Sequence, residues 1–289
     1  MTINHGYLVP GLVLSLNCSK MKKILFTAAA LFLLVAAQAQ QKQGKVIYDR
    51  TTQMQVSFAG INEEMQRMIP KTRTEKFELV FGNDQSLWKQ AEQENDDENT
   101  FNSEGNGMQV RMIVAGSNDV LFTDLAKGRK VEKREVMDKT FIIDDSTKGL
   151  KWKMSGDSKT ILGHNCMKAT ATQISQRMMM NMDNGKMERK EVSDTSSVIA
   201  WVAMDIPVSA GPGEYQAQLP GLILEMDVNN GRQTYKALEI SEKADLAIIK
   251  EPAGKKHYTS EEFKKERDKM MKEIQQNSGG RGQMIRISN

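Results

Sequence analysis

Residues 222–228 alternate between apolar and mostly polar side chains, which is the period of a β-strand with one buried face. Asn230-Gly231 follows before a second strand-like run. An Asn-Gly pair in this setting predicts a two-residue hairpin turn, because both central positions of such a turn must accept a positive φ. A second hairpin is predicted around Asn184-Gly185, between strand-like residues 169–182 and 187–203.

Further strand candidates recur along the chain at short intervals. They are Lys45–Thr51, Glu75–Phe81, Met108–Ala115, Val120–Leu125, Val131–Ile143 and Gly149–Met154. Strands this close together, with few helices between them, favour an antiparallel meander. We therefore expect a mainly β (α+β) fold built on a single, strongly curved antiparallel sheet, shaped as a bowl or half-barrel.

Two helices are predicted beside the strands. The first is short, near 62–69, with Asn62 as its cap and Pro70 after its end. The second runs near 260–276, where Thr259 and Glu262 have the spacing of a capping box. Its apolar residues fall on one face and are expected to dock on the sheet; they are Phe263, Met270, Met271 and Ile274.

The remaining segments complete the expected domain organisation. A β-rich domain spans 40–252, interrupted by an acidic stretch at 92–107 that is typical of a mobile loop. A helical segment at 253–277 and a glycine-rich, disordered tail at 278–289 follow it.

Residues 21–39 have the pattern of a secretory signal peptide. A Met-Lys-Lys start, an apolar run of 13 residues from Ile24 to Ala36 and the small residues Ala37 and Ala39 appear in the required order. This predicts export to the periplasm or the cell exterior, with cleavage before Gln40 and no membrane span left after processing. Residues 1–20 are interpreted as an upstream extension that is removed as well.

Composition narrows the functional classes. The chain has 40 Lys and Arg against 37 Asp and Glu, but three of the lysines lie in the first 39 residues, so the remainder is balanced. A general nucleic-acid binder is therefore not expected. Cys18 lies in the removed part, and Cys166 is the only cysteine after it, so no intramolecular disulfide can form.

Leu219-Pro220-Gly221-Leu222-Ile223 resembles the signature of the GLPGLI family, which comprises exported proteins of Bacteroidetes, although Gln218 replaces its first glycine. Further likenesses are Gly44-Lys45-Val46-Ile47-Tyr48, Gly163-His164-Asn165-Cys166-Met167-Lys168-Ala169, Ala200-Trp201, Ile206-Pro207 and Gly211-Pro212-Gly213. The resemblance covers about residues 44–250. It implies an exported, β-rich protein without established catalytic residues or cofactor.

Turn chemistry alone accounts for the central part of this motif. Proline fixes φ at the first central position of a type II turn, and glycine supplies the positive φ of the second. Pro220-Gly221 is therefore interpreted as a structural corner leading into the strand at 222–228, rather than as a binding loop.

Two groups of residues are candidates for chemistry. His164 and Cys166 are two positions apart and would share one face of a strand, where they could form a thiolate–imidazole pair. The alternative is a packed thiol beside a turn histidine. A methionine-rich group surrounds the predicted turn at 184–185 and could bind Cu(I) through its thioethers, or serve as adaptable apolar packing; it consists of Met178, Met179, Met180, Met182 and Met187.

No linear motif of a hydrolase, phosphate loop or zinc site occurs, so no catalysis and no cofactor are expected. The leading hypothesis is a non-catalytic binding or carrier module of the cell envelope that takes an apolar small molecule, a lipid or a partner protein. The alternatives are a periplasmic hydrolase without a recognisable motif and a methionine-rich Cu(I)-binding protein. A further hypothesis is a module that binds an envelope protein through an exposed sheet edge.

Overall fold

The computed structural model describes residues 42–53, 71–92, 118–136, 139–183 and 186–277. Several expectations lie outside these residues: the signal peptide and its cleavage site, the helix at 62–69, the strand candidate Met108–Ala115, nearly all of the acidic loop, the turn residues 184–185 and the tail at 278–289.

The described segments contain twelve strands and one α-helix. The strands are β1 (Gly44–Gln53), β2 (Thr72–Gly82), β3 (Gln85–Gln90), β4 (Val120–Asp124), β5 (Arg129–Val136), β6 (Lys139–Ser146), β7 (Lys153–Ile161), β8 (His164–Asp183), β9 (Lys186–Ala203), β10 (Leu222–Val228), β11 (Gln233–Ser241) and β12 (His257–Tyr258). The helix is α1 (Ser260–Asn277), and single 3-10 turns occur at Gly213–Tyr215 and Leu246–Ile248.

All twelve strands belong to one sheet with the order β12-β6-β5-β4-β3-β2-β1-β11-β10-β9-β8-β7. Neighbouring strands are antiparallel except β12, which pairs with β6 in parallel. The sheet is open, with β12 and β7 at its two edges. The predicted fold class, mainly β with a single antiparallel sheet and a C-terminal helix, is confirmed.

Several strand boundaries differ from the sequence prediction. Residues 131–143 were expected as one strand but belong to two, β5 and β6, which pair with each other from Arg129 and Ser146 to Val136 and Lys139. The candidate Gly149–Met154 is wrong in position, because β7 covers Lys153–Ile161. The polar residues of β7 are typical of a turn in sequence. They form a strand here because an edge strand buries little surface and so need not alternate apolar with polar residues.

The hairpin between β10 and β11 has a longer loop than the Asn-Gly pair predicts. The last pair of the ladder is Val228 and Gln233, so the loop has four residues rather than two. Asn229, Asn230 and Gly231 all have positive φ, at 56°, 53° and 82°. The Asp227 carboxylate accepts a hydrogen bond from the Gly231 amide at 2.6 Å, and this contact favours the wider turn.

One face of the sheet, the inner face, is covered by residues 204–221, which we call the plug. Gln216 of the plug bonds to Ser86 on β3, and the adjacent Tyr215 donates its hydroxyl to Gln173 on β8 at 3.0 Å. In a flat sheet β3 and β8 would be six strand spacings apart, about 29 Å. Two adjacent residues reach both strands only if the sheet bends around the plug, so the sheet is strongly curved, as expected.

The main core lies between the plug and the inner face. Tyr48 is fully buried there and donates its hydroxyl to the Ile223 carbonyl at 2.6 Å. Trp88 stacks on Phe77 with ring centroids 4.9 Å apart and contacts Tyr235 edge-on at 6.1 Å. Burial raises the pKa of Tyr235 to about 12, because the charged form would lose its hydration there.

Helix α1 begins as the sequence predicts. The Thr259 hydroxyl accepts a hydrogen bond from the Glu262 amide at 3.2 Å, and the Glu262 carboxylate accepts one from the Thr259 amide at 2.8 Å. This is the reciprocal pattern of a capping box. Phe263 and Met270 are buried in a second cluster with residues of β5 and β6, so the helix docks on the sheet.

Candidate functional site

Strands β10 and β11 are paired over only part of their length. Their ladder runs from Val228 and Gln233 to Glu225 and Lys236 and then stops. Beyond this point β11 continues for five more residues, 237–241, which pair with β1 on one side. In the described part of the chain, no strand pairs with 237–241 on the other side.

The plug accepts hydrogen bonds from the start of β10. The Ile223 amide donates to the Ala210 carbonyl at 3.0 Å, and the Leu222 amide donates to the Ile206 carbonyl at 3.1 Å. Leu224 is the extra residue at a register shift between β10 and β9. Leu238 is the extra residue at a register shift between β11 and β1. Bulges of this kind terminate pairing and redirect side chains.

A cleft of about 370 Å³ lies beside this unpaired part of β11. Its lining residues are Leu162, His164, Leu238, Glu239, Ile240 and Glu242. Two of them are large apolar residues with high exposure, 47% for Leu162 and 44% for Leu238. The cleft therefore combines free strand backbone with exposed apolar surface, the two features that an extended peptide segment would use.

Leucine is an unusual residue at position 162, where the β7–β8 turn requires a positive φ. It occupies the first position of the two-residue β7–β8 turn with φ of 49°, followed by Gly163 with φ of 86°. The left-handed region costs most side chains about 1–2 kcal/mol, which is why Asn, Asp and Gly usually occupy it. A strained residue that presents an apolar side chain to a cleft points to a role in binding.

The two ends of the sheet are protected against strand addition, unlike the free part of β11. β12 has only two residues and ends at the cap of α1. β7 has a register irregularity between Met154 and Ser158 and carries Lys153 and Lys159. Short edge strands, bulges and lysines are the usual devices that prevent unwanted pairing.

The side chains of the candidate pair His164 and Cys166 have different partners. The Nδ1 atom of His164 lies 2.8 Å from Oδ2 of Asp205, while the fully buried Cys166 thiol donates to the His164 carbonyl at 3.6 Å. Burial, with a contribution from Asp205, raises the pKa of the Cys166 thiol to about 11. A thiol of this kind is mostly protonated at neutral pH, which favours the alternative of a packed cysteine.

The methionine group lies on a two-stranded ribbon. β8 and β9 stay paired far beyond the rest of the sheet, with Met178 opposite Glu191, Met180 opposite Arg189 and Met182 opposite Met187. The side chains of residues 175–192, including Met179, lie outside the described residues. Binding of Cu(I) therefore stays a hypothesis.

The motif Leu219-Pro220-Gly221-Leu222-Ile223 forms a bend that leads into β10. The expectation of a positive φ at Gly221 is wrong, since Gly221 is not among the glycines with positive φ. Glycine is required here for another reason: a Cβ atom would lie 2.4 Å from the Ala203 carbonyl oxygen and 3.0 Å from a Val202 methyl. The close approach of two backbones selects glycine at this position.

Gln218 occupies the position of the first glycine in the GLPGLI signature. Its side chain joins the plug to the segment before β7. Its side-chain oxygen accepts hydrogen bonds from the Leu150 amide and the Trp152 indole, both at 3.0 Å. Its side-chain amide donates to the Glu214 carbonyl at 3.0 Å. The side chain therefore fixes the plug against a neighbouring segment.

A largely buried ion cluster lies on strands β1 and β2. The Glu75 carboxylate accepts hydrogen bonds from Arg50 at 2.6 Å and from Arg73 at 2.8 Å. The Arg50 guanidinium also lies 4.3 Å above the Phe77 ring. The charge of Glu75 and the charge of Arg50 are thus each compensated by contacts within the protein. This is typical of a cluster that stabilises the fold.

The described ranges contain no group of three or more His, Cys, Asp or Glu side chains that could hold a metal ion. None of the helices in these ranges has the length and apolar character needed to cross a membrane.

Sequence reasoning missed the cleft, because its residues come from two places in the chain, 162–164 and 238–242. Only His164 was a candidate, and for a different role. The one local signal was Leu162-Gly163 between two strands, a two-residue turn in which leucine is an unusual first residue. The break between β10 and β11 depends on the plug, which no local pattern reveals.

Comparison with known proteins gives a family match over part of the chain and similarity to solved structures. Residues 152–225, from just before β7 to the first half of β10, match the family described as "Protein of unknown function (Porph_ging)". No curated protein matches the chain. Among solved structures, PNGF-II in a C2 crystal form is similar with a TM-score of 0.46 and 15% identity, and in a P21 form with 0.45 and 13%. The alignments cover 77% and 78% of this chain but 32% of PNGF-II, so the chain spans about a third of its length.

Proposed function

We propose that this chain is a non-catalytic binding module of the cell envelope that holds an extended segment of a partner protein against the free part of β11. The observation that carries this proposal is the end of the β10–β11 ladder at Glu225 and Lys236, next to a cleft with exposed leucines. The added segment would form backbone hydrogen bonds to residues 237–241 and place side chains in the cleft.

The chemistry of the edge supports a peptide rather than a small apolar molecule. A strand edge offers amide donors and carbonyl acceptors in alternation, and another strand satisfies both. The inner face, where a lipid or apolar ligand would be expected, is occupied by plug residues such as Ile206, Ala210 and Tyr215, all buried. A partner protein is therefore favoured over an apolar small molecule or a lipid.

Export is the second part of the proposal. It is supported by the order of basic start, apolar run and small residues in 21–39, and by the resemblance to GLPGLI proteins. N-terminal sequencing of the protein recovered from the periplasm or medium of the expressing cell should find Gln40 as the first residue. Retention of Met21 or of Cys18 contradicts this part.

Binding can be tested without knowing the natural partner. The probe is a fluorescent eight-residue peptide that alternates valine with threonine, which has high strand propensity and no charge. We expect saturable binding by fluorescence anisotropy. The same peptide with every second backbone nitrogen methylated loses the donors that face β11 and should not bind.

Matched variants locate the binding surface. Leu238→Lys places a charge on the free edge and should abolish binding, because edge lysines oppose strand addition. Ile174→Lys is the control, since Ile174 is also apolar and exposed, at 73%, but lies on β8 away from the cleft residues. Absence of binding, or equal binding by both variants, contradicts the proposed site.

A further inference from the structure

The carboxylates that line the cleft belong to two glutamates. Glu239 and Glu242 line it, and His164, the third polar lining residue, is held by the Asp205 carboxylate at 2.8 Å. No lysine or arginine is among the lining residues. Within the described residues, neither Glu239 nor Glu242 takes part in an ion pair.

Two acidic side chains elsewhere on this half of the sheet have lysine partners. Glu225 accepts a hydrogen bond from Lys159 at 2.8 Å, and Asp157 accepts one from Lys168 at 3.0 Å. Lys159 also lies over the Trp201 ring, 4.3 Å from its centroid. Both lysines therefore have partners other than the two glutamates of the cleft.

The register of β11 separates apolar from acidic positions. Ile240 lies opposite Val46 and packs against the main core, so it belongs to the inner face. Glu239 lies opposite Ile47 and belongs to the outer face. A strand added beside β11 places its successive side chains on alternate faces, so one set meets Ile240 and the other meets Glu239.

We infer that the segment bound at β11 alternates apolar residues with lysine or arginine, its apolar side chains beside Ile240 and its basic side chains beside Glu239. Glu242, just past the end of β11, adds a second negative charge to the cleft. This inference rests on the proposed function. Opposite charges on neighbouring strands attract, and like charges directly opposite repel. The free edge supplies the affinity, and the two glutamates select the partner.

Three fluorescent octapeptides test the inference: valine alternating with lysine, with threonine, or with glutamate. We expect the lysine peptide to bind at least about fivefold more tightly than the threonine peptide, and the glutamate peptide to bind more weakly than both. The double variant Glu239→Gln with Glu242→Gln should bind the lysine and glutamate peptides alike.

The control variant removes the same amount of charge elsewhere. Glu261→Gln with Glu273→Gln changes two exposed carboxylates on α1, which packs against β6, six strands from β11 in the sheet order. It should keep the full preference for the lysine peptide. Equal binding of the three peptides to the wild type, or loss of the preference in the α1 variant, overturns the inference alone. Failure of all three peptides to bind overturns the proposed function as well.

Discussion

Gly221 shows that a glycine can be required for the space it leaves rather than for its backbone angle. A left-handed turn was the natural expectation for Pro220-Gly221, yet the residue has no positive φ and instead packs its backbone against Ala203. Both explanations predict that a larger residue is harmful. They differ on which replacement is tolerated.

We predict that Gly221→Ala lowers the free energy of unfolding by about 1–3 kcal/mol, because its Cβ would lie 2.4 Å from the Ala203 oxygen. Gly149→Ala is the control: no atom lies within 4 Å of the added Cβ, and the effect should be within about 0.5 kcal/mol. Urea denaturation measures both. If Gly221→Asn is clearly milder than Gly221→Ala, the backbone-angle explanation is right after all.

At the scale of elements, the β7–β8 turn links strain to binding. Leu162 is the residue of this turn that carries a bulky side chain at positive φ. Asparagine adopts that conformation more readily than leucine does. The same substitution at Leu238, which has no positive φ, removes an apolar side chain from the cleft without relieving strain.

We therefore predict that Leu162→Asn raises the free energy of unfolding by about 0.5–1 kcal/mol and weakens binding of the valine–threonine peptide severalfold. Leu238→Asn should weaken binding without any gain in stability. Thermal denaturation and anisotropy on the same samples give both quantities. A destabilised Leu162→Asn variant that binds normally would show that Leu162 serves the fold and not the cleft.

Elements that depend on local interactions were predictable from the sequence. The capping box of α1 needs only Thr259 and Glu262, three residues apart, and both hydrogen bonds form. β10 follows its own alternation. β7 was misplaced because an edge strand lacks such alternation, and β3 was missed because the tight turn at Asn83 and Asp84 has no Asn-Gly pair to indicate it.

At the scale of the whole molecule, the plug decides both the curvature of the sheet and the place of the site. Its bonds to β3 and β8 hold the two sides of the sheet together, and it accepts hydrogen bonds from the Leu222 and Ile223 amides at the start of β10. The bonds to β3 and β8 join residues 130 and 42 positions apart, so no local sequence pattern shows them. The candidate site is a consequence of this long-range packing.

The central claim is that residues 237–241 form a free strand edge, and amide hydrogen exchange tests it most directly. In the free protein, amides in 237–241 that point away from β1 should exchange at least about tenfold faster than those of 233–236, which lie between two strands. Addition of the valine–threonine peptide should slow exchange in 237–241 and leave β12 unchanged. Slow exchange throughout 233–241 in the free protein, or protection by the peptide at β12 instead, would contradict the claim.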